Sequence, residues 1–185
     1  MAKWVIDPDH SVAAFVVKHM MITNVRGQFN KLSGNIVIDP DDMSRSSVEV
    51  SIDVAGIYTG ISKRDDHLRS ADFFDVAKYP QILFKSSRVK SPGASRFEVS
   101  GELTIHGISR PVVFSVKSLG PEKTPENETS LGFAASTAID RKDFALTWNV
   151  ALDSGGIMVG NEVIIYLDIE ADLMEYVIPN PGKEL

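Results

Sequence analysis

Polar and apolar residues alternate with period two along most of this chain. In SVAAFVVKHM, Ala13, Phe15, Val17 and His19 share one face, and Val12, Ala14, Val16 and Lys18 share the other. In SSVEVSIDVAG, Val48, Val50, Ile52 and Val54 alternate with Glu49, Ser51 and Asp53. FEVSGELTI sets Phe97, Val99, Leu103 and Ile105 against Glu98, Ser100, Glu102 and Thr104, and Val163, Ile165, Leu167 and Ile169 repeat the pattern near the end. Alternation of this kind marks a strand with one dry and one wet face, because successive side chains leave the pleat on opposite sides. Further strands are expected over 27–38, 82–90, 111–118, 131–140 and 143–150. Turn chemistry separates them: DPDD at 39–42, SPGAS at 91–95, HGIS at 106–109, GPEKTPENE at 120–128 and SGG at 154–156. Many closely spaced strands with one apolar face predict an antiparallel sandwich or barrel, so the fold class is all-β.

One interval breaks the rhythm. TGISKRDDHLRS reads as a short helix, with Ser62 as N-cap, Asp65 three residues on as in a capping box, and Arg69 late. The connector that follows, ADFFDVAKYP, holds Phe73, Phe74, Val76 and Tyr79. Such aromatic density either plugs one end of the β structure or forms part of a cavity wall.

Length and composition narrow the class. At 185 residues, with no linker, repeat or low-complexity tract, the chain is expected to be a single domain. Its 43% apolar and 24% charged residues are ordinary for a globular protein. A net charge of -6 argues against nucleic acid, whose phosphates need a basic face. The absence of cysteine removes disulfides, thiolate nucleophiles and cysteine-based metal centres. MAKWVIDPDHS has acids where a signal peptide needs an apolar core, and no apolar run reaches ~18 residues. A cytoplasmic protein with no stable membrane insertion is the expectation.

Little in the chain points to catalysis. It contains no glycine-rich phosphate loop, no G-x-S-x-G elbow and no H-E-x-x-H. The four histidines, His10, His19, His67 and His106, lack the short spacings of local chelation, so no metal and no cofactor is expected. Asp65–Asp66, Asp41–Asp42 and Asp7 with Asp9 read as turns and a helix start. Arg141, between Asp140 and Asp143, either holds a turn by charge-assisted bonds or places a cation at a pocket mouth to meet an anionic or carbonyl head group. The nine phenylalanines are spread through nearly every strand or connector. A closed barrel of about eight strands is just wide enough to fill itself or to hold a small apolar ligand, and periodicity alone leaves both open.

The ordered set WVIDPDHSVAAFVVKH, VRGQFNKLSGNI, RDDHLRSADFFDVAKYPQILF, VSGELTIHGISRPVVF and DRKDFAL resembles the YceI-like family of lipid-binding proteins, over residues 4 to 172. The resemblance implies an extended, eight-stranded lipocalin-like antiparallel barrel with a short helix packed at one end. It also implies a long apolar ligand inside: a polyisoprenoid, an isoprenoid quinone tail or a fatty-acid amide. The family's motif positions fall on Asp9, His10, Ser11, Phe15, His19, Arg26, Gly27, Phe29, Arg64, His67, Leu68, Phe73, Phe74, Tyr79, Pro80, Ile82, Phe84, Gly101, Leu103, Thr104, Ile105 and Gly107. Two departures stand out. Many relatives carry an export signal, whereas this chain starts at its barrel, and Ala145 in DFAL occupies a position where the family pattern has glycine.

Within such a barrel, strand parity selects the candidate tunnel wall: Ala13, Phe15, Val17, Phe29, Val50, Ile52, Val54, Ile82, Phe84, Leu103, Ile105, Phe114, Phe133, Phe144 and Trp148. Leu68, Phe73 and Phe74 would close or gate one end, His19 shares the face of Phe15, and Arg26 and Arg141 are the candidate polar contacts. Two functions remain open on these grounds: a lipid carrier or sequestering protein without turnover, and a cofactor-free enzyme acting on an isoprenoid or small apolar substrate through His19 or His10. Barrels of this type can pair along a face, so a homodimer is also within expectation.

Overall fold

The computed structural model describes residues 1–125 and 127–176. The first strand shows how the alternation is used. Along β1 (Ala2–His19), Ala2, Trp4 and Ile6 are buried on even positions, whereas Ala13 is buried and Phe15 and Val17 face inward on odd ones. The phase changes at Pro8–Ser11, where Asp7 opposes Glu170 but Val12 opposes Asp168, so four residues of β1 bulge out against one of the last strand. A bulge with an unequal residue count re-aims the strand, and here it keeps both halves facing the same interior.

The remaining elements are β2 (Thr23–Phe29), β3 (Leu32–Ile38), β4 (Ser47–Asp53), β5 (Ile57–Tyr58), α1 (Ser62–Arg69), β6 (Gln81–Gly93), β7 (Arg96–Ile105), β8 (Ile108–Lys123), β9 (Thr129–Asp140) and β10 (Val159–Tyr176). Every pairing is antiparallel, and β10 closes on β1, giving an eight-stave barrel in the order β1–β3–β4–β6–β7–β8–β9–β10. Closure of the eight staves leaves one interior to fill, and β2 and β5 extend the sheet beyond β1. The stretch 27–38, expected as one strand, is two: β2 pairs with the C-terminal half of β1 and β3 with its N-terminal half. β8 also runs into the 120–128 segment expected as loop, ending at Lys123.

Two local expectations are corrected. Residues 143–150 form no strand; Arg141–Phe144 make a 3-10 turn capped by the Asp140 carboxylate on the Lys142 amide, and Ala145 follows at a φ of +57°. That conformation ends the preceding segment and prevents a strand from continuing through it. The helix lies where expected, but Ile61, not Ser62, occupies its N-cap and contributes no side-chain bond. Asp65 is buried instead, accepting from the amide and the hydroxyl of Thr59, which Arg64 also contacts. Thr59 thus takes the carboxylate that a capping box would use. Arg69 anchors the helix to the barrel by donating to the carbonyls of Ala55 and Ile57.

Candidate functional site

The inward face of the barrel does not fill with side chains. It holds a cavity of about 240 Å³ lined, among the described residues, by 36, of which only Ser46 and Arg141 are polar. Protein interiors normally leave few voids larger than a water molecule, so a space of this size is a feature of the fold. Two glycines help shape it. Phe15 lies opposite Gly27 across β1 and β2, and Phe84 lies over Gly101; a Cβ at either glycine would overlap the ring. Each ring therefore lies flat across the neighbouring strand.

At the α1 end the wall is largely aromatic. Phe73 and Phe29 are buried, Phe74 meets Phe29 edge to face at 5.9 Å, and Leu68 adds its side chain from the helix. Of the two readings of the aromatic connector, Phe73 and Phe74 fit the wall. At the opposite end, the β3–β4 connection brings Met43 and Ser46 to the cavity. That connection is organised by the buried Asp39 carboxylate, which accepts from Arg45 and from the amides of Asp41 and Asp42. Burial pushes this carboxyl up, but those bonds outweigh it and hold it below the usual carboxylate range.

Of the candidates drawn from the sequence, Ala13, Phe15, Val17, Phe29, Val50, Ile52, Leu68, Phe73, Phe74, Ile82, Phe84, Leu103, Ile105, Phe114, Phe133 and Arg141 all line the cavity. Five do not, each for a local reason. His19 keeps the parity of Val17 through its pairing with Thr23, but it is half-buried at the barrel end, beyond Val17, the last β1 residue on the wall, where β10 slips by two residues. Arg26 opposes Val16 on the outer face and is exposed. Val54 and Phe144 are both buried in solid core within 3-10 turns. Trp148 packs behind the wall, 5.2 Å from the ring of Phe73 and 4.7 Å from that of His67.

The lining also includes residues beyond those candidates. Val163, Ile165, Leu167 and Ile169 of β10 line it, and their alternation was visible in the sequence. Met43 and Ser46 carry no periodic signal, since they belong to a turn.

Arg141 is 4% exposed and makes no ion pair with a carboxylate among the described residues. Its Nε donates to the Gly160 carbonyl at 2.8 Å, Nη1 to the carbonyls of Leu146 and Trp148, and Nη2 to that of Val159 at 3.2 Å. Burial pushes its pKa down, partly offset by Asp140. Of its two sequence readings, the bonded turn accounts for four of its five N–H groups.

Outside the barrel, ligand-type atoms of Asp7, His10 and Glu170 lie within 4.8 Å of one another. His10 Nδ1 already bonds Asp7 Oδ2 at 2.6 Å. That bond, with the charges of Asp7 and Glu170, raises the imidazole pKa; the same bond draws the Asp7 carboxyl down. The arrangement is an exposed ion pair closing the β1 bulge. His67 bonds Asp72 and meets Phe73 edge to face, His106 packs on Tyr79, and neither lines the cavity.

A closed antiparallel barrel with an apolar cavity and a helix over one end defines the class as lipocalin-like. Within that class the chain belongs to the YceI-like domain family, which matches residues 4–171. It is 37% identical to a UPF0312 protein of Vibrio cholerae over 147 residues, 78% of each chain. The crystal structure of Burkholderia cenocepacia BcnA matches with a TM-score of 0.76 at 27% identity, covering 89% of this chain and 98% of that one. A polyisoprenoid binding domain from Saccharophagus degradans, implicated in plant cell wall breakdown, shares the fold with a TM-score of 0.65 at 17% identity, over 92% of this chain and 98% of that one.

Proposed function

We propose that this protein binds a long-chain apolar molecule inside its barrel, as a carrier, store or sequestering protein without turnover. A polyisoprenoid, an isoprenoid quinone or a fatty-acid amide has the required chemistry. The observation that carries the reading is the lining itself, in which 34 of 36 residues (36 less Ser46 and Arg141) are apolar or aromatic. Burying a methylene contributes ~0.8 kcal/mol, so each five-carbon unit offers roughly 4 kcal/mol before the cost of ordering the chain. A ligand of several units therefore has ample driving force. Selectivity must come from the depth of the cavity and from the few polar atoms at its margins. The polyisoprenoid-binding description of the Saccharophagus domain is consistent with this ligand class.

The enzymatic alternative needs a proton-transfer group facing the substrate. His10 and His19 both lie off the cavity wall, which favours binding over turnover. The test is native mass spectrometry of the purified protein, with organic extraction and identification of what is released. The expected result is a co-purified lipid, or stoichiometric uptake of added ubiquinone or polyprenol. Absence of both overturns the proposal.

A further inference from the structure

The geometry points to a reversible contact between the tip of the β1–β2 hairpin and the surface of a phospholipid bilayer, through which the barrel exchanges its ligand. The inference rests on the apolar-ligand reading above, but it concerns a different part of the molecule. The hairpin turns through Met20 and Met21, closed by the Ile22 amide on the His19 carbonyl at 3.1 Å. Met20, Met21 and Ile22 are 38%, 60% and 79% exposed, three consecutive large apolar side chains projecting together. Exposed apolar residues scattered singly are normal, whereas a contiguous group at the tip of a hairpin marks a contact.

The turn makes the same point. Met20 and Met21 both have positive φ, +51° and +60°. Two-residue hairpins with that geometry favour Asn-Gly, because side chains other than Gly, Asn and Asp are disfavoured there. This chain keeps two methionines in a strained turn, where their thioether chains face solvent. Strain of this kind persists where surrounding structure enforces it, and it concentrates at functional positions.

Two further features select a bilayer as the occupant. The hairpin from Ser11 to Phe29 contains no acid in a chain of net charge -6, and it carries Lys18 and Arg26. Lys18 opposes Asn24 and Arg26 opposes Val16, which puts both cations on one outward face as diagonal neighbours. Both are exposed, and neither makes an ion pair within the described residues. An apolar wedge flanked by free cations suits acyl chains beneath a layer of phosphates. The tip is also continuous with the cavity. Val17, three residues before Met20, lines it, as does Val159, next to the Met158 carbonyl that accepts from the Met20 amide at 2.7 Å. A membrane-resident chain would thus meet apolar surface from the bilayer to the barrel wall. A few inserted side chains give reversible association, not stable insertion.

The experiment is co-sedimentation of the full chain with vesicles of phosphatidylcholine and phosphatidylglycerol. Wild type should sediment with them. The double variant Met21→Asp/Ile22→Asp should lose at least about tenfold of the bound fraction, since it puts charge where exposed apolar area would enter the bilayer. Lys18→Ser/Arg26→Ser should lose the preference for phosphatidylglycerol over pure phosphatidylcholine. Met174→Asp, at an equally exposed methionine on β10, should behave as wild type. Native mass spectrometry with farnesol, added from ethanol, reads the cavity separately and should show equal loading in wild type and the tip variants. The bilayer contact is overturned if wild type stays in the supernatant, if the tip variants sediment as wild type does, or if Met174→Asp abolishes binding equally. It is likewise overturned if the tip proves to mediate self-association without vesicles. Farnesol loading that fails in every form, with tip-dependent sedimentation intact, overturns the ligand reading and leaves the contact standing.

Discussion

Ala145 and Arg141 show how much the α1 end depends on single residues. Ala145 sits at a φ of +57°, where an L side chain costs roughly 1–2 kcal/mol and glycine costs little. The glycine of the family pattern at this position is thus explained by backbone conformation and not by close packing. Ala145→Gly is expected to raise stability by about 0.5–1 kcal/mol, the relief being partly offset by the freer unfolded chain, and Ala145→Val to lower it. Urea midpoints of the two variants check this. Arg141 gathers four carbonyls from two segments that no periodic signal connects. Arg141→Met removes every one of those donors at a buried site. Leaving buried acceptors unpaired costs roughly 1–3 kcal/mol each, so a loss of at least about 3 kcal/mol is expected by urea unfolding. If the residue served mainly as a ligand contact, stability would change little and ligand uptake would fall instead.

Among the elements, the bulge in β1 has a pH signature. Folding raises the pKa of His10 above its ordinary 6.5, mainly through the bond it donates to Asp7, and lowers that of Asp7 below 3.8 through the same bond. The histidine's contribution is present in full below its unfolded pKa and is lost as pH rises through its folded one. The aspartate's contribution is present above its unfolded pKa and is lost as pH falls through its folded one. The pair therefore stabilises between these limits, in mildly acidic solution. The difference in melting temperature between wild type and His10→Ala should be largest near about pH 5.5 and shrink by about pH 8.5. A difference independent of pH would mean that the bulge is held by Ser11, whose hydroxyl bonds both the amide and the carbonyl of Glu170. This bulge also shows where local pattern stops being informative. The alternation in 13–17 and in 163–169 is set by each strand's own two faces, so it was legible. The phase change at Pro8–Ser11, and the slip of β10 beside His19 where the lining ends, depend on pairing with β10, more than a hundred residues distant. Residues 143–150 alternate well enough to read as a strand, yet the Asp140 cap and the Arg141 carbonyl cluster give that segment another path. Inward-facing strand residues could thus be named in advance, whereas the strand end at His19 and the connection that holds Phe144 and Trp148 could not.

For the whole molecule, parity identifies which residues face the interior but not how much room lies between them, so a filled barrel and a hollow one read alike. The lining leaves about 240 Å³. At about 24 cal/mol per Å³, unfilled space of that size forfeits on the order of 6 kcal/mol of packing, a large share of the stability of an ordinary domain. A ligand that fills the barrel restores those contacts and stabilises the native state by mass action. Extraction of bound lipid should therefore lower the melting temperature, and adding a polyprenol or quinone should raise it again. Ala135 offers a way to separate filling from binding. It lies on the cavity wall in β9, opposite Leu167 of β10 and Val116 of β8, all three of which line the same space. Ala135→Phe places a ring in the cavity, where room exists, so the usual overpacking cost is not incurred. The extracted variant should melt higher than extracted wild type, take up less ligand, and gain less from ligand addition. Unfolding of the variant would show that the wall at Ala135 is packed core. Unchanged uptake with raised stability would show that the ligand occupies the cavity toward Met43 and Ser46 and never reaches this level of the barrel.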